Sequence, residues 1–201
     1  MKSKSLIVFI AVLFLFIVSL ALRCYKTNSD CKSHNELLSR KYSVVKDIVS
    51  QKIITSNTSI GYIFDENLLV EDESCEKIEF PRIISSRRIL VCRVSDTHCK
   101  SCDIESLKSL LNAKVKISSD KIIILGSFNN TLLLKEFLSA NEINYRAYNI
   151  KGRLDIDADR FHFPYFLVLN NELEVISCFF PEKAMPELTN DYLKGIKHFF
   201  N

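Results

Sequence analysis

Residues 6–22 are apolar throughout except for Ser19, with Lys2 and Lys4 ahead of the run and Arg23 directly after it. A stretch of that kind is a membrane anchor or a signal segment, because its length is close to the minimum that spans a bilayer. It is longer than a usual signal core and lacks a helix breaker. Residues 1–24 are therefore expected to be a retained anchor, with secretion after cleavage near Ser19-Leu20-Ala21 as the alternative. The leading lysines favour export of the body of the chain. Arg23 stands where a bacterial lipoprotein signal needs a small residue, so Cys24 is not a lipidation site.

Beyond the run the pattern becomes amphipathic. Leu37, Leu38, Val44, Val45, Ile48, Val49 and Ile53 recur at helical spacing and predict a connector helix over 35–54. Segments 60–64 and 68–70 alternate enough to predict a hairpin around Asp65-Glu66-Asn67, and 78–84, which contains Pro81, reads as an edge strand at best. Residues 25–77 thus link the leader to a domain over 78–201.

In that domain, strand-like and helix-like patterns take turns. Strands are predicted at 88–94, 122–125, 145–150, 165–169 and 174–180, with Asn170-Asn171 as a hairpin turn between the last two. A helix starting at Asp103 turns Leu107, Leu110 and Leu111 inward. Another, capped by Asn129 or Asn130, runs to about Ala140 with Leu133, Phe137 and Leu138 on one side, and a third covers 186–200. This is an α/β pattern, a mainly parallel sheet covered on both faces, with functional residues expected beyond the strands' carboxyl ends.

The candidate chemistry lies at such an end. Cys99-Lys100-Ser101-Cys102 comes after the 88–94 strand and opens the next helix. Two thiols at that spacing can form a reversible disulfide, and the unpaired N–H groups and positive dipole end of a first helical turn stabilise a thiolate. Cys99 is the candidate attacking nucleophile and Cys102 the resolving thiol. His98 and Lys100 flank Cys99 and are candidates for tuning it. Of the seven cysteines, Cys92 and Cys178 fall in apolar strands and read as buried small hydrophobes, while Cys24 and Cys31 could pair with each other.

Composition narrows the classes further. With 201 residues, 47% hydrophobic, 25% charged and a net charge of +3, the chain is an ordinary globular domain with accessories. Its basic residues alternate with acidic ones, so no nucleic-acid footprint appears. Four glycines form no phosphate-cradling loop, which excludes a nucleotide site, and Asp103 after Cys102 excludes a haem-attachment motif. Asp155, Asp157 and Asp159 read as a solvated acidic loop rather than a calcium site, since the required glycine is missing. No cofactor or resident metal is expected.

The order strand, Cys-x-x-Cys, helix, strand, helix, strand, loop, Phe163-Pro164, strand, hairpin, strand, helix resembles the thioredoxin superfamily over residues 78–200. The added stretch 144–150 makes it similar to the membrane-tethered TlpA-like thiol-disulfide oxidoreductases. The resemblance implies a thioredoxin-like fold with a central mixed sheet flanked by helices, and a cis peptide bond before Pro164, which would lie against the cysteines. Phe163 would then offer its backbone to an extended substrate. It further implies thiol-disulfide exchange on a disulfide-containing exported protein, with a separate electron donor and the domain on the extracytoplasmic, periplasmic side. This sequence departs from the family in having no Trp, with His98 directly before Cys99, and in its Lys100-Ser101 pair. Thr97 is one residue too close to Cys99 for the peroxiredoxin pattern. Two other readings use the same residues: a redox-inert binding module of this fold, and a Cu(I) or Zn protein with Cys99, Cys102 and His98 as ligands.

Overall fold

A computed structural model describes residues 2–84, 86–112 and 117–200, with the backbone alone for residues 2–15, 21, 29, 33 and 112. Helix α1 spans Lys2–Ser59, so the apolar leader and the connector are one helix rather than two elements. The chain divides into two compact units, residues 1–50 and 51–201. Much of the 6–22 run lies outside the described side chains, and among the described residues no helix is long and apolar enough to cross a membrane.

The second unit is built on a seven-stranded mixed sheet. Strands β1 (Leu69–Glu71), β2 (Lys77–Glu79), β3 (Arg88–Ser95), β4 (Ile122–Ser127), β5 (Arg146–Asn149), β6 (Tyr165–Asn170) and β7 (Val175–Phe179) lie in the order β2-β1-β5-β4-β3-β6-β7. β3, β4 and β5 are parallel, while β6 runs antiparallel to β3 and β7 to β6. The expected hairpin has moved. Its arms are β1 and β2 around the acidic turn, and 60–64 contributes only a bridge from Ile63 to Glu174. Pro81 ends β2 by opening the short helix α2 (Phe80–Ile83), a position that needs no backbone N–H.

Crossover handedness explains the layers. The β3-to-β4 and β4-to-β5 connections step the same way along the sheet, so α3 (Lys100–Asn112) and α4 (Thr131–Ala140) cover the same face. α5 (Pro186–Ile196) joins them there: Leu107 and Leu110, Leu134 and Leu138, and Leu193 and Ile196 pack with Leu90, Cys92, Val94 and Ile124. The connection from β5 back to β6 crosses the opposite face and buries Leu154, Ile156 and Ala158 against Ile89, Val91, Leu125 and Leu167. Two expectations about helix faces change. Leu111 and Leu133 are 45% and 41% exposed, because α4 buries the Thr131, Leu134 and Leu138 face and α3 ends its contact at Leu110. Asn130 is the α4 cap, its side chain accepting from the Leu133 N–H at 2.9 Å. Gly126 leaves room for this helix: a Cβ there would stand 2.7 Å from a Leu134 methyl carbon.

Candidate redox site at the end of the central strand

β3 carries an unbroken buried run to Ser95 and releases the chain into a short loop at its carboxyl end. That loop is pinned from below. Ser95 Oγ contacts Thr97 Oγ1 at 3.0 Å and donates to the Ser127 carbonyl at 3.2 Å, and the Asp96 N–H reaches the same carbonyl at 3.1 Å. α3 begins at Lys100, three residues earlier than expected, so Cys99 is the residue immediately before the helix. Its carbonyl accepts from the N–H groups of Cys102 and Asp103 at 2.8 and 3.1 Å, which starts the helical ladder.

Cys99 and Cys102 are joined as a disulfide, with their Cα atoms 5.2 Å apart. Cys99 is exposed and Cys102 half-buried, so an incoming sulfur reaches Cys99 first. Ser101 Oγ stands 3.4 Å from Cys99 Sγ, close enough for its hydroxyl to donate to a thiolate. The sequence marked Ser101 only as part of the Lys100-Ser101 pair between the cysteines, not as a contact to Cys99 Sγ. Cys92 and Cys178 are buried, and burial pushes the Cys178 thiol up to about 12 and that of Cys92 well above its ordinary value.

His98 does not stand free beside Cys99. Its side chain is 3% exposed, and Nδ1 lies 3.2 Å from Oδ1 of Asp103, itself 2% exposed, so one proton is held between ring and carboxyl. Burial raises the Asp103 carboxyl above its ordinary value, opposed by the hydrogen bonds from His98 and the Ser95 backbone and by the charge of Arg93. Among the described residues no group of three His, Cys, Asp or Glu could hold an ion, so the three-ligand metal reading finds no support there. Lys100 is exposed. Together with Asp96, His98, Phe128, Leu133 and Phe137 it lines a groove of about 480 Å³ between the cysteine loop and α4.

On the other side of β3 stands a group the sequence reading missed. Arg93 is 1% exposed and makes a bidentate pair with Asp159, Nε to Oδ1 at 2.9 Å and an NH2 to Oδ2 at 3.1 Å. Its remaining N–H groups donate to the carbonyls of Val94, Leu125 and Gly152. Tyr165 Oη donates to Asp159 Oδ1 and the Leu154 N–H to Oδ2, both at 2.8 Å. Asp159 thus leaves the solvated loop to which the sequence assigned it, whereas Asp155 stays exposed. A lone arginine inside an apolar strand was the available signal, because a buried charge requires a partner.

This clamp ties the 150–163 connection to β3, and with it Phe163 and Pro164. The register pairs Arg93 with Tyr165, which places Pro164 at the end of β3 from which the cysteine loop departs. The expected cis bond is absent: no described peptide bond is cis, so Phe163-Pro164 is trans. The turn into β6 is made instead at His162, which is left-handed at φ 53°. The Phe163 ring packs on the core and lies under Lys52, whose Nζ is 4.7 Å from the ring centroid.

No family model and no curated protein matches the sequence. Solved structures do match in fold. A candidate electron transfer protein from Aquifex aeolicus VF5 is 16% identical, with 67% of this chain and 96% of its own covered at a TM-score of 0.52. A thiol:disulfide interchange protein from a Bacteroides species is 12% identical, with coverage of 71% and 90% and a TM-score of 0.50. The thioredoxin domain of a thiol-disulfide oxidoreductase from Bacteroides vulgatus is 11% identical, with coverage of 71% and 98% and a TM-score of 0.52. The mixed sheet, the helices that flank it and these neighbours together identify the fold of this chain as the thioredoxin fold.

Proposed function

We propose that this chain is a membrane-tethered thiol-disulfide oxidoreductase acting on exported proteins at the extracytoplasmic, periplasmic side, held by residues 6–22. The observation that carries the reading is the Cys99–Cys102 disulfide on the first turn of α3, with one sulfur exposed and the other half-buried. In the reduced form the Cys99 thiolate attacks one sulfur of a substrate disulfide. That S–S bond breaks, the other substrate sulfur leaves as a thiolate, and Cys99 is held in a mixed disulfide. Cys102, as thiolate, attacks Cys99 Sγ and expels the second substrate sulfur. Two electrons have passed to the substrate, the Cys99–Cys102 bond has re-formed, and an extracytoplasmic dithiol donor reduces it again.

The supporting roles in this reading are argued from position. Lys100 and the Ser101 hydroxyl stabilise the Cys99 thiolate from the first turn, and His98 with Asp103 forms a buried reservoir for one proton beneath the loop. Substrate chain lies along the backbone at Phe163 and Pro164 on one side, with the groove beside His98 on the other. The test is the reduction potential of the pair in the full chain, read by counting alkylated thiols, with Cys102→Ser used to trap partners. A reversible couple between about −300 and −120 mV and a trapped mixed disulfide on Cys99 are expected. A pair that stays oxidised under strong reductant would leave a binding module with a static disulfide.

A further inference from the structure

The first unit carries two exposed free cysteines, Cys24 and Cys31, both on α1. Seven residues of helix rise about 10.5 Å, well beyond the roughly 7 Å between Cα atoms that a disulfide tolerates, so within α1 these two cannot bridge each other. The pairing left open by the sequence is therefore closed. Seven residues also bring them back to nearly the same face, where Asn35 Nδ2 reaches Cys31 Sγ at 3.8 Å.

That face continues with alternating steps of four and three: Cys24, Asn28, Cys31, Asn35, Leu38, Tyr42, Val45, Val49. This is the d-to-a, a-to-d alternation of a heptad seam over nearly four repeats, with both cysteines at d and both asparagines at a. Leu38, Tyr42 and Val45 of this seam are 58%, 72% and 57% exposed, and Val49 at its end is half-buried. We infer that the occupant of the seam is the same stripe of a second copy, in parallel and in register, with the two helices joined by Cys24–Cys24 and Cys31–Cys31 disulfides.

A second copy is favoured over any other helix for two reasons on the stripe itself. A two-fold parallel pair sets every a and d residue against its own counterpart, so each cysteine meets a thiol and each asparagine an amide without a further requirement. Asparagine at a also fixes register and strand number, although it weakens the seam. The flanking positions weaken it again, since Lys41 at g faces Lys46 at e of the partner helix with like charge. The covalent bonds thus decide the state: reduced copies separate and oxidised copies stay paired.

The chemistry balances with a low-molecular-weight disulfide as oxidant. A Cys24 thiolate attacks it, one small thiol leaves, and the same cysteine of the second copy attacks the mixed disulfide and expels the other small thiol. Two electrons pass from the protein thiols to the small disulfide, whose two halves take up the protons.

The test uses the full chain in excess detergent, with Cys75→Ser, Cys99→Ser and Cys102→Ser to silence the other accessible sulfurs, oxidised by glutathione disulfide and read by non-reducing electrophoresis. A dimer band is expected, lost on reduction and lost when Cys24→Ser and Cys31→Ser are added. In that cysteine-free stripe Leu38→Cys, on the seam, restores the band, and Arg40→Cys, at an outer position of the same helix, does not. Equal bands from Leu38→Cys and Arg40→Cys, or Cys24 and Cys31 found only as glutathione mixed disulfides on monomers, would overturn the inference.

Discussion

β3 has a buried carboxylate on each side of it, and the two are held in opposite ways. Asp159 meets a guanidinium bidentately, a phenol and a backbone N–H. Burial alone would raise its carboxyl, but the hydrogen bonds and charge of Arg93, followed by Tyr165 and the Leu154 N–H, outweigh that and hold it below the ordinary value. Burial likewise keeps the Tyr165 phenol protonated and donating. Asp103 has a single imidazole and a backbone donor, and burial wins, so its carboxyl is raised. A fully partnered carboxylate is a fixed charge that fastens chain to chain; a partly partnered one can exchange its proton. The clamp lies under Pro164, and the exchangeable pair lies under the cysteine loop.

Breaking the clamp has the largest expected effect. Asp159→Ala leaves the Arg93 charge buried without its counter-ion, and a loss of about 3–5 kcal/mol in urea unfolding is expected. Arg93→Met with Asp159→Leu removes both charges and recovers part of that loss. A loss under about 1 kcal/mol for Asp159→Ala would show that the pair does not act as a fixed charge fastening the two segments.

The pH dependence of stability separates the two carboxylates by sign. A free Asp titrates near about 3.9. Asp159 lies below that when folded, so its stabilisation is complete above about pH 4 and is lost as pH falls through its folded value. Asp103 lies above it, so its contribution is present below about pH 4 and is lost as pH rises through its folded value. Urea midpoints from pH 3 to 7 check this. Asp159→Asn should flatten the acid limb, and Asp103→Asn should gain relative to the parent as pH rises.

The same contrast shows what the sequence could carry. Period-two and period-3.6 patterns report which face of an element is apolar, and from them the strands of the core, an α4 cap at Asn129 or Asn130 and the placement of Cys99 and Cys102 at the end of β3 were legible. Pairing between distant polar residues leaves no such period. Asp159 alternates with Asp155 and Asp157 as an exposed loop would, and only the crossing of the 150–163 connection over the sheet brings it to Arg93. The peptide bond before Pro164 is another case: the proline was legible, but whether its bond is cis or trans leaves no periodic trace. The extent of α1 was hidden for a different reason, since the pattern changes at Arg23 while the backbone remains helical.

Removing the weaker partner should show a moderate effect. His98→Ala leaves Asp103 buried with one donor fewer, and a loss of about 1–3 kcal/mol is expected at neutral pH. The loss should shrink at pH 4, because burial raises the Asp103 carboxyl and a protonated carboxyl needs one donor fewer. An equal loss at both pH values would mean that His98 serves only to fill space, and the exchangeable character assigned to this side of β3 would fail.

The smallest effect tests whether this side of β3 also governs reactivity. Ser101 stands on the first turn with its hydroxyl 3.4 Å from Cys99 Sγ, and in the reduced protein it can donate to the thiolate but gains little from the thiol. A hydrogen bond of that kind contributes about 0.5–1.5 kcal/mol, so Ser101→Ala should slow alkylation of reduced Cys99 at neutral pH by about two- to tenfold. Above the thiol's titration the difference should vanish, because the thiolate fraction is then complete in both proteins. Unfolding by urea should be unchanged, since Ser101 is exposed and packs against neither core cluster. Asp159→Ala is expected to show the reverse, a large loss of stability with the alkylation rate of the folded protein preserved. The two substitutions together therefore decide whether the clamp and the reactive loop are separable, and a slowed Cys99 in Asp159→Ala would show that β3 transmits one side's charge to the other.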